Sequence, residues 1–244
     1  MNSIVVCVEF DDFLALTLPR NRRHFGRTLV VTSCADVSTQ KLALENSCEC
    51  FVTNSFYERG AMFNKGSALE KGLDVLGREG WICIWDADIV MPNSIEFDKS
   101  EECLYTALRR TLDFPQDFND NLDWETVPVT GLECEYPGYF QLFHVSAARQ
   151  KPWYETDWTH AGGCDGSFQH RFKRLARPPF NVLHLGPSVD EAPLFHLRIG
   201  NNWCGRTTPR LDGKPLSPDA RLHQVASISE SRRVGCGTMN EKLK

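Results

Sequence analysis

The chain has 244 residues, a net charge of −5 and a mean hydropathy of −0.35. Hydrophobic residues at 41% and charged residues at 24% exclude a disordered or fibrous chain and leave enough apolar side chains for a substantial core. No run of eighteen apolar residues is present, so no membrane-spanning helix is expected, and Met1 to Phe10 lacks the basic start of a signal peptide.

The charge is unevenly spread. Residues 151–244 hold 14 Lys and Arg against 9 Asp and Glu, and residues 1–150 hold 13 against 23. The stretch from Arg171 to Lys214 is the most basic, with 8 bases and 3 acids, which suggests an anionic ligand near the C-terminal half or a solvated face. Ten cysteines include no C-x-x-C pair, so free or buried thiols are expected rather than a zinc site.

Ile4 to Val8 is a continuous apolar run, the pattern of a strand buried on both faces. Asp11 to Leu18 reads as a helix closed by Pro19. Thr28 to Thr32 is a second strand, Ser38 to Asn46 a short helix, and Cys50 to Thr53 a third strand. Lys65 to Leu76 carries a helical apolar stripe, and Trp81 to Trp85 is a fourth strand ending at Asp86. This alternation predicts an α/β fold with a mostly parallel central sheet flanked by helices. Ligands in such sheets lie at the carboxyl ends of the strands.

After Met91 the alternation weakens. Leu104 to Leu112 fits a helix or a strand edge, and Pro115 to Thr126 reads as a loop. Tyr139 to Phe143 is a strand, Gly166 to Leu175 looks helical, and Asn181 to Leu185 is a short strand closed by Gly186-Pro187. Thr207 to Lys244 reads as a tail. The whole chain is read as one domain, with 1–90 and 91–206 as its two halves.

Four groups of residues carry chemistry. Asp86-Ala87-Asp88 follows an apolar strand, and two carboxylates at i and i+2 can face one divalent ion of the Mg²⁺ or Mn²⁺ type. Asn64 can cap the helix that Lys65 opens, and Gly66 allows a close approach to its first turn, by a phosphate for example. His184 ends a late strand and suits the role of third ligand to a carboxylate-held Mn²⁺. Gly162-Gly163-Cys164-Asp165 puts a carboxylate at a flexible turn before a helix, where it is a candidate general base.

Taken in order, Asp36, the Asn64-Lys65-Gly66 stretch, the D-x-D at Asp86 to Asp88, the Gly-Gly-x-Asp loop at Gly162 to Asp165 and the H-x-G at His184 to Gly186 resemble nucleotide-sugar glycosyltransferases of the GT-A (Rossmann-like) fold. The similarity is to their family 2 and galactosyltransferase-like groups and covers residues 4–186. It implies a UDP-sugar donor and a Mn²⁺ or Mg²⁺ cofactor, with 1–90 as the nucleotide-sugar half and 91–206 as the acceptor half. Val8, Phe10 and Asp36 would hold the nucleoside, with Lys65 and Ala87 near it. Asp86 would face the ribose or the metal, Asp88 would ligate the metal, and His184 would complete the site. Asp165 would be the base of an inverting enzyme. Relatives commonly carry two acids in that loop, whereas Cys164 precedes Asp165 here, so a retaining route with Asp165 binding the acceptor stays open.

Trp158 and Trp203 are candidates to stack on a sugar or base, together with Trp153 and Tyr154. Arg171 and Arg206 are candidates for an anionic acceptor or the diphosphate. Expected acceptors are a glycan or, given the basic stretch, a hydroxymethylated pyrimidine in DNA of the kind some phages glycosylate. The absence of an anchor suggests a bacterial or virus-infected cytoplasm. Two other classes compete. A nucleotidyltransferase acting on sugar phosphates would need a glycine-rich loop after the first strand, where Glu9-Phe10-Asp11-Asp12 stands instead. A non-catalytic nucleotide- or glycan-binding module would keep binding without transfer.

Overall fold

The computed structural model describes residues 1–130, 138–149, 151–186, 196–199, 202–206 and 210–213. The first half alternates as expected: β1 (Asn2–Val6), α1 (Asp11–Asn21), β2 (Arg27–Thr32), α2 (Val37–Glu45), β3 (Glu49–Val52), α3 (Lys65–Leu76) and β4 (Trp81–Asp86). Then come β5 (Ile89–Val90), β6 (Cys103–Tyr105), β7 (Leu108–Leu112), β8 (Val129–Thr130), β9 (Phe140–His144), α4 (Cys164–Gln169), β10 (Arg174–Ala176), β11 (Asn181–Leu185), β12 (His196–Ile199) and β13 (Asn202–Arg206).

The main sheet has seven strands in the order β10-β6-β9-β4-β1-β2-β3. Neighbours are parallel except at β9, which runs antiparallel to both β4 and β6. Its central strands β4, β1 and β2 are buried along most of their length because both faces are covered. On one face Val5, Val30, Cys83 and Trp85 pack with Leu14 and Leu18 of α1 and Ala43 of α2. On the other, Ile4, Val31, Ile82 and Ile84 pack with Leu69 and Leu73 of α3 and Phe168 of α4. A second sheet, β5-β11-β7-β8, covers Phe13, Val90 and Leu183. β12 and β13 form an antiparallel pair.

The structure corrects the sequence reading at two places, Pro19 and the helix from Gly166, and sharpens it at two more. Pro19 lies inside α1, which runs on to Asn21. The last turn is held from outside the helix: the Asn21 amide donates to the Ile89 carbonyl (2.7 Å) and accepts from the Met91 N–H (2.9 Å). Leu104 to Leu112 resolves into two strands in different sheets, β6 and β7. The helix expected over Gly166 to Leu175 stops at Gln169, and Leu175 pairs with Leu104 in the ladder of β10 with β6, an edge contact that local propensity does not encode. The Pro115 to Thr126 loop contains two short 3-10 turns, Pro115–Asp117 and Trp124–Thr126.

All seven cysteines assigned among the described residues are free thiols, five of them buried, as expected. No helix among these residues is long and apolar enough to cross a membrane. Of the expected tail, only 210–213 lies among the described residues.

Candidate active site

The carboxyl ends of β1 and β4 open on a cavity of about 280 Å³, closed on the far side by β7, β11 and the loop before α4. Val8, Phe10 and Ala87 line it, as do Lys65, Asp86, Asp88, Asp165 and His184. The structure therefore brings together eight of the residues singled out from the sequence, drawn from positions 8 to 184.

The Asp86–Asp88 turn is fixed through its backbone. The Asp86 N–H donates to the Tyr139 carbonyl (3.0 Å), and the Leu185 N–H donates to the Asp88 carbonyl (2.9 Å). The Thr17 hydroxyl donates to the Ala87 carbonyl (2.8 Å). The two side chains then take separate partners. The Lys65 ammonium donates to Asp86 (2.8 Å) and lies 3.5 Å from Asp165. Asp88 lies 3.4 Å from Nε2 of His184, and both side chains are largely buried.

The histidine geometry fixes its tautomer. Nδ1 of His184 is 2.8 Å from the Gly186 carbonyl, which can only accept, so Nδ1 carries a hydrogen. In the neutral ring Nε2 then presents its lone pair towards the Asp88 carboxylate. A proton on Nε2 would pair the ring with Asp88 directly, and a divalent cation bound by both groups would satisfy the neutral ring. A carboxylate with an imidazole suits Mn²⁺ better than Mg²⁺, whose preferred ligands are all oxygens. Among the described residues no three His, Cys, Asp or Glu side chains converge into a complete cage, so the remaining ligands would come from substrate and water.

Lys65 and Asp165 are tuned together. Burial disfavours the Lys65 charge, but Asp165 and Asp86 outweigh it and hold the ammonium well above its ordinary value. Burial also raises the Asp165 carboxyl, from 3.8 to about 6, with Lys65 pulling it down and Asp86 pushing it up. Asp165 is wedged in place: a Cβ added at Gly138 would sit 2.2 Å from its Cβ and 2.5 Å from Oδ2. Gly163, at φ 90°, caps α4 just ahead of it and lies against the Trp158 ring.

The other expected site residues lie elsewhere. Asp36 is buried and caps α2 through the Thr39 N–H (3.0 Å); it also accepts from the Glu9 N–H (2.8 Å) and the Thr32 hydroxyl (3.2 Å). It thereby ties the loop after β1 to the loop after β2 and does not line the cavity. The close approach that Gly66 allows is made by the chain itself: an added Cβ would lie 2.3 Å from the Glu155 carbonyl oxygen. Asn64 does cap α3, accepting from the Ser67 N–H (2.8 Å).

Trp153 and Tyr154 are core residues, and Trp158 is half-buried against His160. Trp203 lies on β13, and its side chain is outside the described residues. Arg206 is 1% exposed and forms a two-pronged pair with Asp12 (2.5 and 2.8 Å), stacked over Phe10 and Phe13. Arg210 pairs likewise with Asp11. Arg171 donates to the Trp153 carbonyl (3.3 Å), Arg174 faces Glu102 and Arg177 the Thr106 carbonyl. The described arginines of the basic stretch thus meet groups of the protein itself.

Among the residues of the cavity wall that sequence reasoning missed are Arg109, Gly138 and Tyr139. Arg109 falls in the segment whose periodicity left helix and strand open. Gly138 acts through a backbone contact, which leaves no mark in the sequence beyond the glycine.

No protein-family model matches the sequence, and no curated protein matches it. Solved structures do. The chain is similar to an inositol-1-phosphate CTP transferase from T. maritima, with 11% identity over 78% of this chain and 90% of that one and a TM-score of 0.49. It is similar to glucosyl-3-phosphoglycerate synthase from Mycobacterium tuberculosis in complex with Mn²⁺, UDP and phosphoglyceric acid, with 12% identity over 79% and 73% and a TM-score of 0.44. A galactosyltransferase in complex with donor and acceptor sugar analogues matches with 9% identity over 60% and 59% and a TM-score of 0.34.

Proposed function

We propose that this chain is a metal-dependent glycosyltransferase that moves a sugar from a UDP-sugar to an acceptor hydroxyl. The observation that carries the reading is the Asp88–His184 pair, whose facing acceptors suit a divalent ion at the carboxyl end of the sheet. Asp88 and His184 would hold Mn²⁺ or Mg²⁺, with Asp86 on the same turn. Bound there, the ion would neutralise the departing diphosphate and act on it as a Lewis acid.

The nucleoside would lie against Val8, Phe10 and Ala87. Lys65, kept charged, steadies Asp86 and Asp165 on either side of it. Asp165 would take the proton of the acceptor hydroxyl as its oxygen bonds to the anomeric carbon, while the bond to the diphosphate breaks and its electron pair leaves with UDP. In a retaining route Asp165 would hold the acceptor instead. Residues 1–90 and 91–206 are then the donor and acceptor halves of one domain. A glycan hydroxyl is the acceptor we favour, since Arg206 and Arg210, the most buried cations of the basic stretch, are taken up by Asp12 and Asp11.

The test is a screen of UDP-sugars with Mn²⁺, with and without EDTA, reading UDP release and binding. Metal-dependent UDP release from one sugar supports the reading. Pyrophosphate release from a nucleoside triphosphate and a sugar phosphate would favour nucleotidyl transfer. No binding of any nucleotide sugar with metal would overturn the proposal.

Two predictions follow from Asp165. As a base it must be deprotonated, so turnover should rise with pH through about 6. Stability should move the other way. A carboxyl raised above its unfolded value favours the fold at low pH, and that contribution is lost as pH rises from 3.8 to about 6. A pH–rate profile with no acid limb in this range would remove Asp165 from the role of base. Gly138→Ala should displace the carboxyl and lower kcat about a hundredfold, at the low end of the usual acid–base contribution. Affinity for UDP should stay unchanged, and an unaltered kcat would show that Gly138 does not position Asp165.

A further inference from the structure

Two short segments, 149–151 and 170–174, contain no acidic residue and carry Arg149, Lys151, Arg171, Lys173 and Arg174. The backbone sets them side by side, with the Arg149 N–H donating to the Arg171 carbonyl (3.0 Å). Phe172, between two of the cations, is buried in the core and anchors the second segment. Arg149, Lys151, Lys173 and Arg174 are exposed. Arg171 donates to the Trp153 carbonyl, and Arg174 lies 3.4 Å from Glu102, an exposed pair that water largely screens. The side chains of Arg149, Lys151 and Lys173 make no hydrogen bond or ion pair with a described residue. In a chain of net charge −5, this is a local reversal of sign. Like charges held together repel, and an anion laid across them relieves that repulsion.

The patch is linked to the cavity by α4. Asp165, in the first turn of α4, lines the cavity, and His170 and Arg171 follow its last residue, Gln169. A helix of 6 residues is about 9 Å long. None of the exposed large hydrophobic side chains among the described residues lies in either segment. The patch therefore offers no ring to stack on a base and no apolar side chain to enter a lipid surface. Its chemistry fits anionic groups repeated along a hydrophilic chain.

We propose that this patch holds the body of an acidic polysaccharide acceptor, whose receiving end lies at Asp165. The receiving end rests on the glycosyl-transfer reading above, and the patch is tested without donor.

The test measures binding of the full chain to polygalacturonate, dextran sulfate and neutral dextran, with a single-stranded DNA oligonucleotide and phosphatidylglycerol-containing vesicles as the competing partners. The triple variant Arg149→Gln, Lys151→Gln, Lys173→Gln is compared with a control of equal charge, Arg22→Gln, Arg23→Gln, Lys41→Gln, at exposed cations outside the patch. Wild type should bind an acidic polysaccharide and not dextran, more weakly as salt rises. The patch variant should lose about tenfold in affinity, with an unchanged thermal midpoint and an unchanged control. Each single substitution should cost about twofold, which keeps the test open should the triple variant unfold. A preference for polygalacturonate marks carboxylates as the bound groups, and one for dextran sulfate marks sulfate-like groups. Equal losses in patch and control variants overturn the proposal. So does binding of the oligonucleotide or the vesicles without either acidic polysaccharide, or no binding of any probe. A wild type that binds the acidic chain but releases UDP from no sugar overturns the glycosyl-transfer reading and leaves the patch. UDP release without polysaccharide binding overturns the patch alone.

Discussion

Asp88→Ala should lower metal-dependent UDP release by about three orders of magnitude. A Lewis-acid ion contributes several kcal/mol to such a step, and about 4 kcal/mol corresponds to a factor of roughly 10³. With the carboxylate gone, His184 is left as a single nitrogen ligand, still oriented by Gly186, and one nitrogen does not hold a hard divalent ion. The fold should survive. The turn is fixed through backbone groups, including the Asp88 carbonyl that accepts from Leu185, and these remain in the variant. The measurement is UDP release at saturating UDP-sugar across a Mn²⁺ titration, with circular dichroism as the control for folding. Full activity in Asp88→Ala would remove the metal site from this turn. Retained UDP-sugar affinity in a protein that never released UDP would instead mark a binding module.

The second large effect concerns stability. Asp12→Ala should destabilise the fold by about 3–5 kcal/mol, because it strands the Arg206 guanidinium in an environment where its side chain is 1% exposed. It also deprives the Leu211 N–H of its acceptor, the Asp12 carboxylate at 2.7 Å. Replacing both partners, as in Asp12→Leu with Arg206→Met, should recover most of that loss, since two apolar groups leave no stranded charge over Phe10 and Phe13. Urea unfolding of the single and double variants measures both quantities. A single variant as stable as wild type would show that the pair does not hold the C-terminal segment to α1.

Where the fold was legible in the sequence, the reason is local. Ile4 to Val8 and Trp81 to Trp85 are apolar without interruption because two layers of helices cover the sheet, and α3 begins at Lys65 because Asn64 caps it. Asp88, His184 and Asp165, put forward from the sequence, line one cavity because Asp88 follows β4, His184 lies near the end of β11 and Asp165 lies in the first turn of α4, where such sheets place their ligands. What escaped depends on partners distant in the chain. Pro19 is tolerated in α1 because Asn21 is bonded to residues 89 and 91, and Leu175 joins a strand because β6 offers an edge. Asp36, Arg171 and Arg206 carry the charge and position expected of ligand residues, yet each meets a group of the protein itself. Composition cannot separate a cation kept for a substrate from one already paired, and only the pairing of Asp12 with a residue 194 positions away decides it.

β9 enters the main sheet reversed with respect to β4 and β6. β4 meets the cavity with its trailing end, at Asp86, but the chain enters β9 from the cavity, at Gly138 and Tyr139. Insertions or deletions in the chain just ahead of Gly138 would therefore reshape the wall that holds Asp165. Equal changes ahead of β1, β2 or β4 would fall at the opposite end of the sheet. This makes the approach to β9 the place where a change of chain length would alter the surroundings of Asp165 while leaving the hydrogen-bonded ladder and the Asp88–His184 pair untouched.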